Sequence, residues 1–250
     1  MQSRSLTKGG LYRFLSTLEA AAGDFVTIYV EPAYFSDYID GLSLGPRYAA
    51  YADGIKAAVH TDPVTQSARK YGTGVAIFWN QAGNNYLVLP PFPVTENKVS
   101  VGELNTSLLR EALGKRYVVG VVLVTWGSYA IGVFDAGNLV ESKTGTGFIH
   151  KEHRKGGRSE KRFARRTEEQ KKDFLRRVST RIEERFGGFA LDHIFFGGNK
   201  LISKPLLREC RYLQSKALMV SPRVLDVRYA DREALANSLA EITKSLVLSF

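Results

Sequence analysis

Residues 117–134 read YVVGVVLVTWGSYAIGVF and carry no charge over eighteen positions. A stretch of this length reaches the lower limit of a membrane-spanning helix. Its residues argue against one, because β-branched side chains such as Val118 and Ile131 dominate it and Gly127-Ser128 interrupts its middle. Such a pattern is typical of strands inside a protein. We therefore predict two buried strands joined by a tight turn, and no membrane partner.

The chain after this hairpin alternates between strand and helix patterns. Strands are predicted at 138–144, 191–196 and 216–220, and helices at 161–186, 203–213 and 231–246. The longest helix has an apolar stripe, which is expected to face a core. Its members are Phe163, Phe174, Val178, Ile182 and Phe186. Three strands followed by alternating helices and strands predict a mixed sheet flanked by helices.

The N-terminal part of the chain has a different order of elements. Helices are predicted at 10–22, at 103–113 and from Asp62-Pro63 onward, and strands at 25–30, 74–79 and 85–89. The stretch that contains Gly41, Gly45 and Pro46 is expected to be irregular. Gly114 suits a helix C-cap and is taken as the domain boundary. The predicted fold class is therefore α/β with two domains, residues 1–113 and residues 114–250.

The composition of the chain limits the classes of protein to which it can belong. With 250 residues and 44% hydrophobic content, the chain can bury a core, which excludes an intrinsically disordered protein. Lys and Arg outnumber Asp and Glu by 35 to 25, and the formal net charge of +10 indicates a polyanionic partner. Cys210 is the single cysteine, which excludes an intramolecular disulfide and a cysteine-rich zinc site. The N-terminus has no apolar leader pattern, so a cytoplasmic protein is expected.

The basic excess is concentrated in residues 151–166, KEHRKGGRSEKRFARR, which hold eight Lys or Arg against two Glu. Gly156 and Gly157 lack Cβ atoms, so the backbone there can approach a ligand closely. A helix is predicted to follow, and its N-terminal amides and dipole favour an anion at the same place. We therefore predict that this basic segment contacts a polyanion. The alternative is a solvated basic loop around a glycine turn.

The string GGRSEKRFARR in the basic segment resembles the Gly-Gly-Gln loop and the arginine-rich helix start of the eukaryotic and archaeal class I peptide-chain release factors. That family carries Arg-Phe-Ala-Arg at the spacing of residues 162–165. The N-terminal TKGGLYRFLSTLEAAAGDFVTIYVEP resembles the opening helix and strand of the family's first domain. The resemblance covers nearly the whole chain. It implies a release-factor-like N-terminal domain and a ribonuclease H-like middle domain that carries the glycine loop.

The sequence departs from the release factor family at two places, and these limit which members it resembles. The chain stops at Phe250, where the family continues into a domain that docks a partner GTPase, so no GTPase docking domain is expected. The family's codon-reading Asn-Ile-Lys-Ser element has only a partial match, Gly-Ile-Lys-Ala, at residues 54–57, and stop-codon recognition is not expected. The chain most resembles the shortened Vms-type peptidyl-tRNA hydrolases of ribosome rescue and their bacterial counterparts.

This resemblance implies a ribosome-associated peptidyl-tRNA hydrolase that frees nascent chains from stalled ribosomes and needs no cofactor. Its implied partners are the large ribosomal subunit, peptidyl-tRNA and rRNA. The implied catalytic residues are Gly156, Gly157, Arg158, Ser159 and Glu160. The implied RNA-binding residues are Lys151, Arg154, Lys155, Lys161, Arg162, Arg165 and Arg166.

The glutamine of the family's loop is missing here. Arg158 stands at its position, and Glu160 follows two residues later. A glutamate has nearly the shape of glutamine and can orient water, but among so many cations it stays ionised and is a weak base. The alternative role of Glu160 is to stabilise the start of the helix through the helix dipole.

The sequence leaves one alternative function open and argues against two kinds of metal site. A non-catalytic ribosome-binding adaptor, as among the Pelota-type relatives, keeps the architecture without hydrolysis. A metal-dependent nuclease requires convergent carboxylates, and the spacing of Asp135, Asp192 and Asp226 selects none. His150 and His153 have no further ligands near them in the sequence, so no metal site is expected there.

Overall fold

The computed structural model describes residues 1–21, 23–83, 85–149 and 158–250, and of residues 158–161 only the backbone is described. The chain divides into two compact units. The first unit comprises Met1–Lys115 and Ala240–Phe250, and the second unit comprises Arg116–Leu239.

The described residues form ten strands and nine α-helices. The strands are β1 (Gln2–Leu6), β2 (Phe25–Val30), β3 (Val75–Asn80), β4 (Tyr86–Leu89), β5 (Lys98–Val101), β6 (Val118–Thr125), β7 (Ser128–Asp135), β8 (Asn138–Thr146), β9 (His193–Gly198) and β10 (Ser245–Ser249). The helices are α1 (Lys8–Ala20), α2 (Phe35–Asp40), α3 (Ala49–Val59), α4 (Asp62–Tyr71), α5 (Ser107–Gly114), α6 (Arg158–Phe186), α7 (Lys200–Glu209), α8 (Arg211–Ser215) and α9 (Arg232–Ile242).

The first unit is built on a six-stranded antiparallel sheet with the order β1-β10-β4-β3-β2-β5. β2 is buried at all six positions, because helices cover both faces of the sheet. Ile55 of α3 and Val64 of α4 pack in one core cluster. Leu11 of α1 and Leu109 of α5 pack in the other. A strand covered on both faces needs no alternation of polar and apolar residues, which explains its sequence FVTIYV.

The second unit is built on a four-stranded mixed sheet with the order β8-β7-β6-β9, in which only β6 and β9 are parallel. β6 and β7 form the predicted buried hairpin, whose turn carries Gly127 at φ 97°. Buried side chains of α6, α7 and α8 pack on one face. On the other face, a Cβ added to Gly132 would lie 2.9 Å from Leu235 Cδ2 of α9. The prediction of a mixed sheet flanked by helices is confirmed.

The C-terminal segment differs from the prediction. The helix predicted at 231–246 ends at Ile242, and β10 then lies between β1 and β4 in the first sheet. Leu246 pairs with Ser5 on one side and with Leu89 on the other. A short apolar run is compatible with a helix or with a strand. This run forms a strand because it pairs with two strands that are distant in the sequence. Residues 240–250 therefore belong to the first unit, whereas the predicted second domain extends over 114–250.

Other local predictions were wrong in part. The stretch predicted to be irregular contains α2 and α3. The strand predicted at 216–220 is a 3-10 helix, Ala217–Met219, followed by a single bridge at Val220. The helix predicted at 203–213 is divided into α7 and α8, because Cys210 between them has an extended backbone. β1 and β5 were missed, since both are short edge strands without a buried position.

Candidate functional site

The predicted catalytic and RNA-binding residues surround the start of α6. Gly156, Gly157, Lys151, Arg154 and Lys155 lie outside the described residues, as do His150 and His153. Arg158, Ser159, Glu160 and Lys161 form the first turn of α6, with only their backbone described. A helix does begin directly after the glycine pair, three residues earlier than the predicted start at 161. The roles of these residues stay predictions.

The next turn of α6, residues 162–166, is exposed at every position. Five consecutive residues cover more than one helical turn, so no face of this segment packs against the described residues of the second unit. The first buried side chain is Thr167, and the continuous buried stripe starts at Phe174. We call residues 162–166 the helix tip.

The prediction that Phe163 belongs to the buried stripe of α6 was wrong. Phe174, Val178, Ile182 and Phe186 are fully buried, as the predicted apolar stripe requires, but Phe163 is 49% exposed. Its spacing places it near the same face of the helix, yet no core element among the described residues covers that part of α6. A single exposed apolar side chain is common on protein surfaces and does not by itself indicate a binding site.

Aromatic side chains hold α6 below the tip. The Phe174 ring lies 6.2 Å from the ring of Trp126 and 6.2 Å from that of Tyr129. The Lys171 ammonium lies 5.5 Å from the centre of the Trp126 ring, within reach of a cation–π interaction. These contacts join α6 to the turn end of the β6–β7 hairpin, so the helix tip extends from a packed base.

Two glycines bring β8 and the chain after it against that base. A Cβ added to Gly145 would lie 2.4 Å from Tyr129 Oη, and one added to Gly147 would lie 2.7 Å from Phe174 Cδ2. Neither approach is possible for a residue with a side chain unless the aromatic rings move. The sequence analysis did not select these residues, although glycine near the end of a strand is a signal of close approach.

The charges of the helix tip are open to a polyanion. Arg162 and Arg166 have no ion-pair partner among the residues that the structure describes. Arg165 Nε lies 3.1 Å from Glu169 Oε1, and both side chains of this pair are mostly exposed. An exposed pair of this kind contributes at most about 1 kcal/mol, so Arg165 can exchange Glu169 for a phosphate at low cost.

Further along α6, most cations have acidic partners. The pairs are Lys171 with Glu168, Arg176 with Asp173, Arg181 with Glu184, and Arg185 with Glu141 of β8. These pairs neutralise part of the positive charge in the rest of α6, so its cations are densest at the N-terminal end. The helix dipole adds to the potential there.

Two of the three carboxylates considered for a nuclease, Asp135 and Asp192, have structural roles instead. Asp135 accepts two hydrogen bonds from the Arg116 guanidinium, which hold the pKa of this carboxyl below its usual value. Asp192 Oδ2 accepts a hydrogen bond from the Val118 backbone N–H at 2.7 Å. Within the described ranges, no three His, Cys, Asp or Glu side chains are grouped so that they could hold a metal ion.

Membrane insertion by a helix has no candidate in the described part of the chain, where no helix combines the required length with the required apolar content. The uncharged stretch of residues 117–134 is the β6–β7 hairpin, as predicted.

Comparison with known protein families finds one model that matches the chain. The model describes the Actinobacteria/chloroflexi VLRF1 release factor, and it matches residues 117–248. This range begins next to β6, the first strand of the second unit, and ends within β10, which belongs to the first unit. No curated protein sequence matches the chain significantly.

Several solved structures resemble the chain at low sequence identity. The archaeal translation termination factor aRF1 is 17% identical, with 94% of this chain and 70% of that chain covered and a TM-score of 0.40. The Vms1 mitochondrial localization core is 11% identical, with 87% and 89% covered and a TM-score of 0.33. Pelota of Archaeoglobus fulgidus is 12% identical, with 96% and 63% covered and a TM-score of 0.30.

Proposed function

We propose a function from one premise: this chain belongs to the Actinobacteria/chloroflexi VLRF1 release factor family. Membership in a release factor family supports a role in ribosome rescue. We infer further that the chain is a peptidyl-tRNA hydrolase, which frees nascent chains from stalled ribosomes by cleaving the ester between peptide and tRNA. The observation that carries this inference is the helix tip, an exposed cationic turn of α6, a helix that begins directly after a glycine pair in the sequence.

The helix tip suits a site whose walls are RNA. Arg162, Arg165 and Arg166 present three guanidinium groups, and each can bind a phosphate through two parallel hydrogen bonds. A protein that neutralises phosphates releases condensed counterions, which drives binding and makes it salt-dependent. Because no core element covers residues 162–166, they can enter a narrow cavity without unfolding any part of the second unit.

The chemistry of ester hydrolysis assigns a role to the residues before the tip. A water oxygen attacks the ester carbonyl, the bond to the ribose oxygen breaks, and a proton passes to that oxygen, which leaves a free peptide and a tRNA hydroxyl. Gly156 and Gly157 allow the backbone to approach the ester closely. Arg158 is the first residue of α6, and the first four N–H groups of a helix have no acceptor within it. We assign the Arg158 N–H to the oxyanion that develops on the carbonyl.

Glu160 is the proposed water-positioning residue. It lies in the first turn of α6, two residues after the position that glutamine occupies in the related release factors. Surrounding cations favour its ionised form, so it accepts a hydrogen bond from the attacking water instead of removing its proton completely.

The second candidate function is a ribosome-binding adaptor without hydrolysis. The observation that favours it is the replacement of the loop glutamine by Arg158. Both candidates require ribosome binding by the basic segment, and only the hydrolase requires Gly157 and Glu160 to act on the ester.

The deciding experiment incubates the purified chain with stalled ribosomal complexes and measures free peptide and bound protein separately. Gly157→Ala is expected to lower the release rate by about 10²- to 10³-fold with binding retained, because the added Cβ keeps the backbone away from the ester and so withdraws the Arg158 N–H from the oxyanion. Glu160→Gln is expected to keep more activity than Glu160→Ala, because an amide oxygen can still hold water. Binding of the unaltered chain without peptide release would establish the adaptor instead. Absence of both would refute the two candidates together.

A further inference from the structure

A second cationic surface lies on α7, away from the helix tip. α7 buries Ile202 and Leu206 completely against the sheet of the second unit. Lys200, Lys204 and Arg208 recur at intervals of four residues on the opposite side, and all three are exposed. Residues four apart lie on the same face of a helix, so the three cations form one row. We call this row the α7 face.

The α7 face is not neutralised by the protein. None of its three cations forms an ion pair with a residue in the described ranges. The single acidic residue among residues 200–216 is Glu209, and its Oε1 atom lies 3.8 Å from Arg176 Nε of α6. Like charges at intervals of four residues destabilise a helix. The row therefore does not serve the stability of α7.

The helix start of α7 lies at the same end of the second sheet as the base of the helix tip. Gly198 pairs with Val124 at the end of β6, and the Asn199 N–H donates to the Val124 carbonyl at 2.9 Å. β6 leads directly into the hairpin turn, where the Gly147 N–H donates to the Gly127 carbonyl at 2.9 Å. Lys200 is thus positioned at the end of the sheet where β8 ends.

We propose that the α7 face is a second RNA-binding surface, which holds the phosphate backbone of ribosomal RNA while the helix tip reaches the ester. The proposal rests on the proposed function and specifies its partner. Successive cations of the row rise by about 6 Å along the helix, so the row extends over about 12 Å. A row of this length contacts several phosphates of one strand, whereas a single small anion would occupy one cation only. Contacts of this kind orient a protein on RNA without reading its sequence.

The same row argues against an anionic membrane as the partner. A helix that lies on a membrane inserts an apolar face between the lipid headgroups. The apolar face of α7 is committed to the core, since Ile202 and Leu206 have no exposed surface. RNA requires no inserted face, because phosphates are contacted from outside.

The test compares the unaltered full chain with two double variants of it. The α7 variant carries Lys200→Glu and Lys204→Glu. The control carries Arg69→Glu and Lys70→Glu. The control makes the same charge change on exposed residues of α4 in the first unit. Affinity for purified large ribosomal subunits is measured across a salt series. We expect the α7 variant to bind about 15- to 30-fold more weakly at 0.15 M salt, with a salt slope shallower by about 1.4–1.8, from the loss of two phosphate contacts. The control is expected to match the unaltered chain.

Peptide release separates this inference from the proposed function. The α7 variant should keep the maximal release rate when the protein is saturating, because its substituted residues touch no reacting atom, and should lose only apparent affinity. Lys200→Gln with Lys204→Gln loses the same two phosphate contacts without adding negative charge, so it should weaken ribosome binding by a similar factor, with an unchanged circular dichroism spectrum.

Three results would decide against one proposal or the other. Equal ribosome affinity of the α7 variant and the control would overturn the α7 face while leaving the hydrolase intact. Binding of the unaltered chain to phosphatidylserine vesicles, lost in the α7 variant while ribosome affinity is unchanged, would assign the face to membranes and would equally overturn it. Ribosome binding that depends on the α7 face, without any peptide release, would refute the hydrolase and support the face.

Discussion

The two units of this protein differ in charge far more than in construction. The first unit holds eleven basic and eleven acidic residues, whereas the second holds twenty-four basic and fourteen acidic residues. The second unit therefore carries the whole formal net charge of +10. Both units have a sheet with buried helices on its faces. The excess charge is thus not a requirement of an α/β core, and it lies in the unit for which we propose a polyanionic partner.

Both units use ion pairs to connect their own elements. In the first unit Arg110 binds both carboxylate oxygens of Glu19, and in the second unit Arg185 binds Glu141. Both units also have exposed cations without acidic partners among the described residues, such as Arg69 in the first unit and the α7 face in the second. The units therefore differ in the excess of cations over acidic residues, and not in whether their cations are paired.

The largest expected effect would come from reversing the charge of the helix tip. The variant combines Arg162→Glu, Arg165→Glu and Arg166→Glu, and the control combines Lys8→Glu, Arg69→Glu and Lys70→Glu on the first unit. At about fivefold per phosphate contact at 0.15 M salt, the tip variant should bind ribosomes about 100-fold more weakly, and the control should be unchanged. Equal losses in the two variants would mean that total charge, and not its place, governs binding.

The next effect concerns the base of the helix tip. Phe174→Ala removes a fully buried ring that contacts Trp126 and Tyr129, and it should lower the free energy of unfolding of the second unit by about 3–5 kcal/mol. Denaturant unfolding followed by the fluorescence of Trp126 measures this, in a Trp79→Phe background that removes the only other tryptophan. An unchanged transition would contradict the assignment of Phe174 as the anchor of α6.

A smaller effect should follow from Gly145→Ala. The added Cβ would lie 2.4 Å from Tyr129 Oη, so the ring must move away from its position near Phe174. Such overpacking costs about 1–3 kcal/mol. Gly188→Ala is the matched control in the same unit, because its added Cβ would meet no atom within 4 Å. If the two variants unfold at the same denaturant concentration, the close approach of β8 to the hairpin is not significant for stability.

The smallest effect lies in the first unit and depends on pH. The Arg110 guanidinium lowers the pKa of Glu19, so this pair contributes stability above the unfolded-state pKa of about 4.3 and loses it as pH falls through the lower folded-state value. Both side chains are about one-third exposed, and the contribution should stay below about 1 kcal/mol. Unfolding midpoints between pH 7 and pH 3 should fall less steeply for Glu19→Gln than for the unaltered chain. Parallel curves would exclude a role for the pair.

The elements predicted best are those whose signal is local. Residues 117–134 could be recognised as a hairpin because β-branched residues and a glycine turn lie within one short stretch. The long helix was recognised from the spacing of Phe174, Val178, Ile182 and Phe186. The candidate site was predicted from a local signal as well, because its glycines and cations are neighbours in the chain, and it stays a prediction.

The features missed depend on residues far apart in the chain. The segment SLVLS becomes β10 only because β1 and β4 offer it backbone partners on both sides. Phe163 fits the apolar stripe of α6 by spacing, but its exposure is decided by where the sheet beneath the helix ends. The α7 face was not predicted, since a cation four residues from another has meaning only after the acidic partners have been located.

Local sequence patterns were sufficient to predict the α/β character, the hairpin, the long helix and the concentration of positive charge at its start, because each follows from the physical properties of residues close together in the chain. The tertiary structure alone decided which unit the C-terminus joins, which turn of α6 is uncovered and which cations have no acidic partner. Strand pairing, coverage of a helix turn and ion pairing all depend on contacts between segments that folding brings together. They therefore cannot be predicted from any one segment alone.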